Sequence, residues 1–362
     1  MPSTPPSPSP TAVPPTPPSL AGIATRVDER LRELIAREDA RWRGLDVVLA
    51  DPFEALRNLV LVGGKRLRPA FCHWGFVGAG GDADDARVVD AGAALELLHA
   101  FALFHDDVMD GSATRRGQPT VHTVHEQRHG GQWAGEARRY GEGVAILVGD
   151  LTFVYADQLI GQVSPAAWEI WNELRIELNI GQYLDIVGSA QRERRRDKAE
   201  QISRYKSGKY TIERPLHLGA MLAAPQRAAE LIPALSAYGL PLGDAFQMRD
   251  DVLGVYGDTA ITGKPVADDL REGKPTALLA HAHAVATPTD LATLATVGHD
   301  LDEHQVAAVQ QVLVDTGAVT AVEMMIDDLT ARAIGSLDAA GFTAEVTEAL
   351  TDLAEFVAQR SA

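Results

Sequence analysis

Apolar residues recur along this chain at helical spacing. In TAVEMMIDDLTARAIG (320–335) the set Val322, Met325, Ile326, Leu329 and Ala333 falls at offsets 0, 3, 4, 7 and 11, one face of a helix. Gly317 ends the preceding segment, HQVAAVQQVLVDTG, as its C-cap. The same reasoning predicts helices over 22–38, 50–62, 66–79, 85–107, 143–162, 167–186, 198–223, 226–255 and 343–360. Two stretches break the pattern and read as loops: the polar HEQRHGGQWAGEARRYGEG (125–143) and PTDLATLATVGHD (288–300). Few runs alternate like strands, and nothing repeats at a spacing of about 20 to 50 residues. The expected fold is therefore all-α.

Composition changes this picture at the N-terminus. Residues 1–20, MPSTPPSPSPTAVPPTPPSL, hold nine prolines and no charged side chain, so they read as a disordered tail ahead of a helical domain over 21–362. A 362-residue chain that is 46% hydrophobic and 6% aromatic is ample for a large helical core. The net charge of −17 argues against a nucleic-acid partner, because no basic excess exists to displace counterions from a phosphate backbone. The single cysteine, Cys72, rules out an intrachain disulfide. With no uninterrupted apolar run of about 18 residues and no leader, the expectation is a soluble, cytoplasmic protein without a transmembrane segment.

Charge patterning supplies the candidate chemistry. In HAFALFHDDVMDGSATRRGQPT, an apolar helix runs straight into Asp106, Asp107 and Asp110. Asp106 and Asp110 share a helix face, with Asp107 about 100° round. Each like-charged pair costs a helix roughly 0.2–0.5 kcal/mol, and more beside apolar neighbours. A divalent cation reverses that sign, and Mg2+ favours one or two carboxylates together with substrate phosphates. In GDAFQMRDDVLGVYGD (243–258) Asp250 and Asp251 close a second apolar helix in the same way. Two acidic helix ends facing across a cavity could clamp a polyphosphate through metal ions. GGKRLRP (63–69) adds Lys65 and Arg68 at an expected helix start, where free N–H groups also address an anion, and Arg115 and Arg116 follow the first aspartates. GDTAITGKP (257–265) fails the P-loop spacing, and RERRRDK (192–198) reads as a solvated turn or helix start.

These pieces, in this order, resemble the trans-isoprenyl diphosphate synthases, or polyprenyl synthetases. The matching sites are GGKRLRP, DDVMD, RRGQPT, GQYLD (181–185), KS (206–207), FQMRDD (246–251) and TGKPVADDLREGKPT (262–276). The resemblance implies one helical bundle around a deep central cavity, and a homodimer. It implies three Mg2+ on an allylic diphosphate, held by Asp106, Asp110 and Asp250 with Asp107 and Asp251 in support. It gives Arg115, Lys206, Gln247 and Lys264 to that diphosphate, and puts Gln182 and Asp185 close to the metal ions. It gives Lys65, Arg68 and Arg116, with His99 nearby, to isopentenyl diphosphate. Phe101, paired with the small Ala102, would be the floor that stops elongation, favouring a geranylgeranyl (C20) product over farnesyl (C15). The second motif, DDVLG, has Gly254 where the family often has a third aspartate. A terpene cyclase would need only one diphosphate site, and an inactive partner subunit would be expected to lack metal aspartates.

Overall fold

The structure is a computed structural model and describes residues 16–191, 195–257, 267–274, 276–299 and 301–360. Helix α1 (Pro18–Arg43) starts earlier than expected. Pro18 sits in its first turn, where a missing N–H costs nothing, and Leu20 is buried. Residues 18–20 are thus helical rather than tail, and residues 1–15 lie outside the described residues.

Helices α2 (Ala50–Leu61), α3 (Leu67–Gly78) and α4 (Ala86–Asp110) follow the apolar periodicity closely. The Asp85 carboxylate accepts from the Arg87 N–H at 2.8 Å and caps the start of α4. Gly111, at φ 66°, ends it, and the Ser112 N–H donates to the Asp107 carbonyl at 2.9 Å. The acidic corner is therefore held inside the last helical turn. A short antiparallel hairpin, β1 (Thr114–Arg115) and β2 (Gln118–Pro119), then turns the chain through Arg116 and Gly117.

The stretch read as a loop over 125–143 is largely helical: α5 (Val121–His129) and α6 (Ala137–Ile160) cover most of it. The physical reason is that α5 buries His122, His125 and His129, so its inward face is made of residues that an apolar count misses. The chain continues as α7 (Pro165–Gln191), α8 (Arg196–Ser203), a π-helical segment (Arg204–Glu213), α9 (Arg214–Ala223) and α10 (Ala228–Tyr256). Beyond it lie α11 (Asp268–Glu272), α12 (Ala277–Val285), α13 (Pro288–Leu294), α14 (Glu303–Asp315), α15 (Ala318–Ser336) and α16 (Ala344–Gln359). The second presumed loop, 288–300, thus opens with α13. Thr287 and Asp290 cap that helix reciprocally, a signature present in TPTD.

Two apolar clusters hold the helices together. The larger gathers Phe71, Phe76, Phe104, Trp171 and Tyr238, and each such side chain, fully buried, stabilises the fold by roughly 1.5–3 kcal/mol. Ala91, Ala93, Ala94 and Ala100 keep α4 thin, so that α3 and α6 pack close against it. The smaller cluster joins Val252, Val255, Leu278, Val309, Val322 and Ile326. Helix α10 belongs to both, its first half to the larger core and its second half to the smaller, which puts Asp250 and Asp251 on the seam.

α4 and α6 are each long and apolar enough to cross a membrane by length and composition, with mean hydropathies of 1.4 and 1.5 over their most apolar windows. The charged residues that interrupt them are too few to fail that test. In the fold the two helices pack against each other, and 61% of the α4 window is buried.

Candidate active site

The ends of α4 and α10, the start of α3, the hairpin and the π-helical segment converge on one cleft of about 540 Å³. A π-helix is rare and usually marks a functional position; here it brings Lys206, Tyr210 and Thr211 to the cleft wall together. Helix α7 crosses very close to it. A methyl group on Gly181 would lie 2.3 Å from the Lys206 backbone nitrogen, so only glycine permits the approach that sets Gln182 and Asp185 beside Lys206.

The first acidic corner is densely paired. Asp106 accepts from Gln182 Nε2 at 3.0 Å and from Lys206 Nζ at 3.3 Å, and Lys206 also reaches Asp185 at 2.5 Å. Burial alone would lower the Lys206 pKa, but Asp106 and Asp185 outweigh it and hold the ammonium charged. Arg115 donates to Asp107 at 2.7 Å and to Asp106 at 3.3 Å. Asp110 stands at the solvent end of the helix, yet the surrounding walls, and then the Asp106 charge, push its carboxyl up to about 6.

The second corner is paired differently. Asp251 accepts from Gln247 Nε2 at 2.9 Å, and burial, helped by Asp269 and Asp250, pushes its carboxyl up to about 8. Asp250 accepts from Arg360 Nη2 at 2.5 Å. Arg360 lies at the end of α16, stacked over Phe246 at 3.9 Å. Among the described residues no three carboxylate or imidazole groups already converge as a metal nest. The two corners present hard oxygen donors, and burial, more than neighbouring charge, raises the Asp110 and Asp251 pKa values, so a divalent cation would help to ionise them.

A third group of side chains is cationic. Arg68 donates to Thr211 Oγ1 at 2.9 Å and stacks on Tyr210 at 4.3 Å. Arg116 donates to the Leu59 and Val62 carbonyls at 3.2 and 2.9 Å, and holds a left-handed φ of 51° at the hairpin turn, a strained choice for a side-chain-bearing residue. Burial, with Arg360 adjacent, lowers Lys65 to about 8. Burial and the neighbouring arginines hold the His99 imidazole neutral. Lys65 Nζ, Arg68 Nε, His99 Nδ1 and Arg360 Nε are all buried without a hydrogen-bond partner. Each such orphan costs about 1–3 kcal/mol until an acceptor arrives.

The site residues expected from the sequence thus meet at one cleft, with three qualifications. Lys264 lies outside the described residues. Asp107 is turned into the Arg115 pair and, like Asp110, is not part of the cleft wall. Phe101 does not face the cleft either, whereas Ala102 and Leu103 do. Five helical residues turn about 140°, not a full revolution, so Phe101 and Asp106 cannot share a face. Phe101 instead stacks on Phe153 of α6 at 4.8 Å and on His105 at 4.7 Å. Among the cleft residues that went unassigned in the sequence are Tyr210, Thr211, Asp269, Lys274 and Arg360. Lys274 sits inside the EGK of the last matching motif and could have been found there. Arg360 approaches from the far end of the chain, and no local pattern announces it.

The sequence profile described as polyprenyl synthetase matches residues 52–315. The chain belongs to the polyprenyl synthetase family. Like its relatives, this polyprenyl synthetase is an enzyme of the trans-prenyltransferase class. It is 31% identical to the geranylfarnesyl diphosphate synthase of Aeropyrum pernix over 84% of this chain and 92% of that one. It is equally 31% identical to a short chain isoprenyl diphosphate synthase of Methanothermobacter thermautotrophicus, over 94% and 97% of the two chains. The crystal structure of geranylgeranyl pyrophosphate synthase from Corynebacterium glutamicum, complexed with isoprenyl diphosphate and magnesium, matches with a TM-score of 0.88 at 37% identity, covering 94% of this chain and 99% of that one. The synthetase therefore shares the isoprenoid synthase fold with these neighbours.

Proposed function

We propose that this synthetase condenses isopentenyl diphosphate head-to-tail with an allylic diphosphate, releasing inorganic diphosphate and building an all-trans chain up to geranylgeranyl diphosphate (C20). The observation that carries this reading is the division of the cleft's cations into two sets. Lys206 and Arg115 are tied to carboxylates, whereas Lys65 Nζ and Arg68 Nε are buried without a hydrogen-bond partner beside the neutral His99. One cleft thus has provision for two diphosphates, which favours a condensing enzyme over a cyclase.

The acidic corners fit Mg2+, three ions per site by family resemblance, with Asp106, Asp110, Asp250 and Asp251 as holders. When bound, the ions supply Lewis-acid stabilisation of the departing diphosphate. Lys206 and Arg115 stand where they can add hydrogen bonds to that leaving group, and Lys206 stays charged to do so. Gln247 and Lys264 complete the proposed allylic set. Lys65, Arg68 and Arg116 orient isopentenyl diphosphate, and the neutral His99 contributes a single ring N–H. Leu103, Leu178 and Phe246 line the cleft and keep water from the allylic cation. The released proton passes to the departing diphosphate, so no protein base is required.

Chain length is set, in this reading, where α4 meets α6. Ala102 and Leu103 form the α4 wall of the cleft there, and the Phe101–Phe153 pair backs that wall from behind. A homodimer is supported by α6, whose Tyr140, Leu147 and Val154 recur every seven residues and are 37%, 69% and 51% exposed. A cytoplasmic location goes with this proposal.

The test is product analysis by mass spectrometry, after incubation with isopentenyl diphosphate, Mg2+ and each of the C5, C10 and C15 allylic diphosphates. The expected result is a C20 product that disappears in EDTA and in Asp106→Ala. A C15 or longer product would keep the condensation and remove the floor. Failure with every primer by a folded protein would overturn the synthase reading.

A further inference from the structure

Helix α7 meets the π-helical segment along one face, on which Glu177, Gly181 and Asp185 follow one another at four-residue spacing. Asp185 pairs with Lys206 on the cleft wall, whereas Glu177 lies outside that wall. Glu177 is nonetheless buried, and it grips the same segment. Arg214, just past the segment's end, donates to both carboxylate oxygens, Nε to Oε2 at 2.6 Å and Nη2 to Oε1 at 2.7 Å, and Lys209 donates to Oε1 from within the segment. Burial alone would raise the Glu177 pKa, but Arg214 and Lys209 outweigh it and keep the carboxylate ionised.

A π-helical run is rare, so one that spans Arg204–Glu213 needs support from its neighbours. Bare backbone supplies part of it: besides the Gly181 crossing, a Cβ on Gly208 would lie 3.0 Å from the Gly243 carbonyl carbon of α10. Such contacts set how closely the elements approach, but they leave the segment free to turn about its own axis. Charge fixes the turn. Two carboxylates of one α7 face each hold a lysine of the segment, Asp185 taking Lys206 and Glu177 taking Lys209.

We propose, on the leaving-group role given to Lys206 above, that Glu177 is the positioning residue of that site: by holding Lys209 and Arg214 it fixes the rotation of the π-helical segment and so aims Lys206 at Asp106 and the allylic diphosphate. Glu177 is not part of the cleft wall, so its influence on turnover passes through the segment rather than through a contact with substrate.

The experiment is a double-mutant cycle on the full chain, reading kcat/KM for the allylic diphosphate at saturating isopentenyl diphosphate in Glu177→Gln, Lys206→Met and the two together. Glu177→Gln is expected to lower kcat/KM about 30-fold and to leave KM for isopentenyl diphosphate within about threefold, because a misplacement of about 1 Å can cost about 10²-fold. In the Lys206→Met background the same change should cost less than about threefold, since no ammonium remains to be aimed. A larger cost in that background, or no cost in the wild-type background, overturns the assignment. Should Glu177→Gln fail to fold, Lys209→Met takes its place: it keeps the Arg214 pair, and its expected loss of about tenfold must likewise vanish in the Lys206→Met background. A Lys206→Met protein with wild-type kcat/KM overturns the leaving-group role on which the assignment rests, and a wild-type chain that condenses nothing overturns the synthase reading. Both results differ from a Glu177→Gln loss that persists without Lys206.

Discussion

The corner at the end of α4 and the corner on α10 begin with the same DDV, yet the fold neutralises them by different means. At the first, Lys206, Gln182 and Arg115 come from neighbouring helices and the hairpin, and every contact is made across one side of the cleft. At the second, Arg360 arrives from the end of α16 to pair with Asp250, and Gln247 of α10 itself donates to Asp251. The pKa values differ accordingly: burial takes Asp110 to about 6 but Asp251 to about 8. Each corner has a fixed cation, and they differ in that Asp251 is buried deeply enough to hold its proton at neutral pH.

The sharpest way to break this contrast is to delete one carboxylate from each side. Removing a preorganised stabiliser of leaving-group charge typically costs about 10²–10³ in turnover. Asp106→Asn is expected at the upper end, because it also unhooks Lys206 and Gln182, and Asp250→Asn at the lower end. Saturating steady-state rates decide, and the reverse order would mean that the second corner leads.

Exchanging the cations comes next. Lys206→Met leaves Asp106 and Asp185 without their shared ammonium and should cost about 10²-fold in kcat/KM for the allylic diphosphate. Arg360→Met should raise KM for isopentenyl diphosphate by about tenfold with a smaller change in kcat, a split a purely structural residue would not give.

A milder effect is expected from pH. Below pH 8 Asp251 carries a proton that an incoming cation must displace, so Mn2+ affinity at this corner should climb up to about tenfold per pH unit and level off above 8. The Asp110 corner should level off above about 6. Calorimetry in buffers of contrasting ionisation heat counts the protons released, and a flat profile above pH 6 would erase the difference. The smallest effect belongs to the wall beside the corners: Phe101→Ala should cost about 0.5–1.5 kcal/mol of aromatic stacking on top of its lost apolar contacts, and lengthen the products seen by mass spectrometry.

Much of the fold and the site was legible in the residues themselves. The helices carrying the corners showed themselves through apolar periodicity, because each has one buried face, and α4 and α10 fall close to the expected spans. Helix α5 escaped because its buried face is histidine, and α13 because its cap signature was outweighed by a polar composition. The aspartates and Lys206 sit in local motifs, so their chemistry was visible; Arg360 depends on a contact closed only by the fold. The packing of Phe101 on Phe153 and His105 was not legible, because rise along a helix says nothing about the direction a side chain faces.

Between Arg204 and Glu213 the backbone winds more widely than the α-helices on either side. Such a segment behaves like a helix that has taken in an extra residue. Losing one residue here would leave a continuous helix but turn its N-terminal part by about 100° relative to its C-terminal part. Lys206 would swing away from Asp106 while Tyr210 kept its place against Arg68. An alignment gap inside KSGKYTIE would therefore be a warning in itself: a lineage could keep every acidic side chain and still have lost its aim.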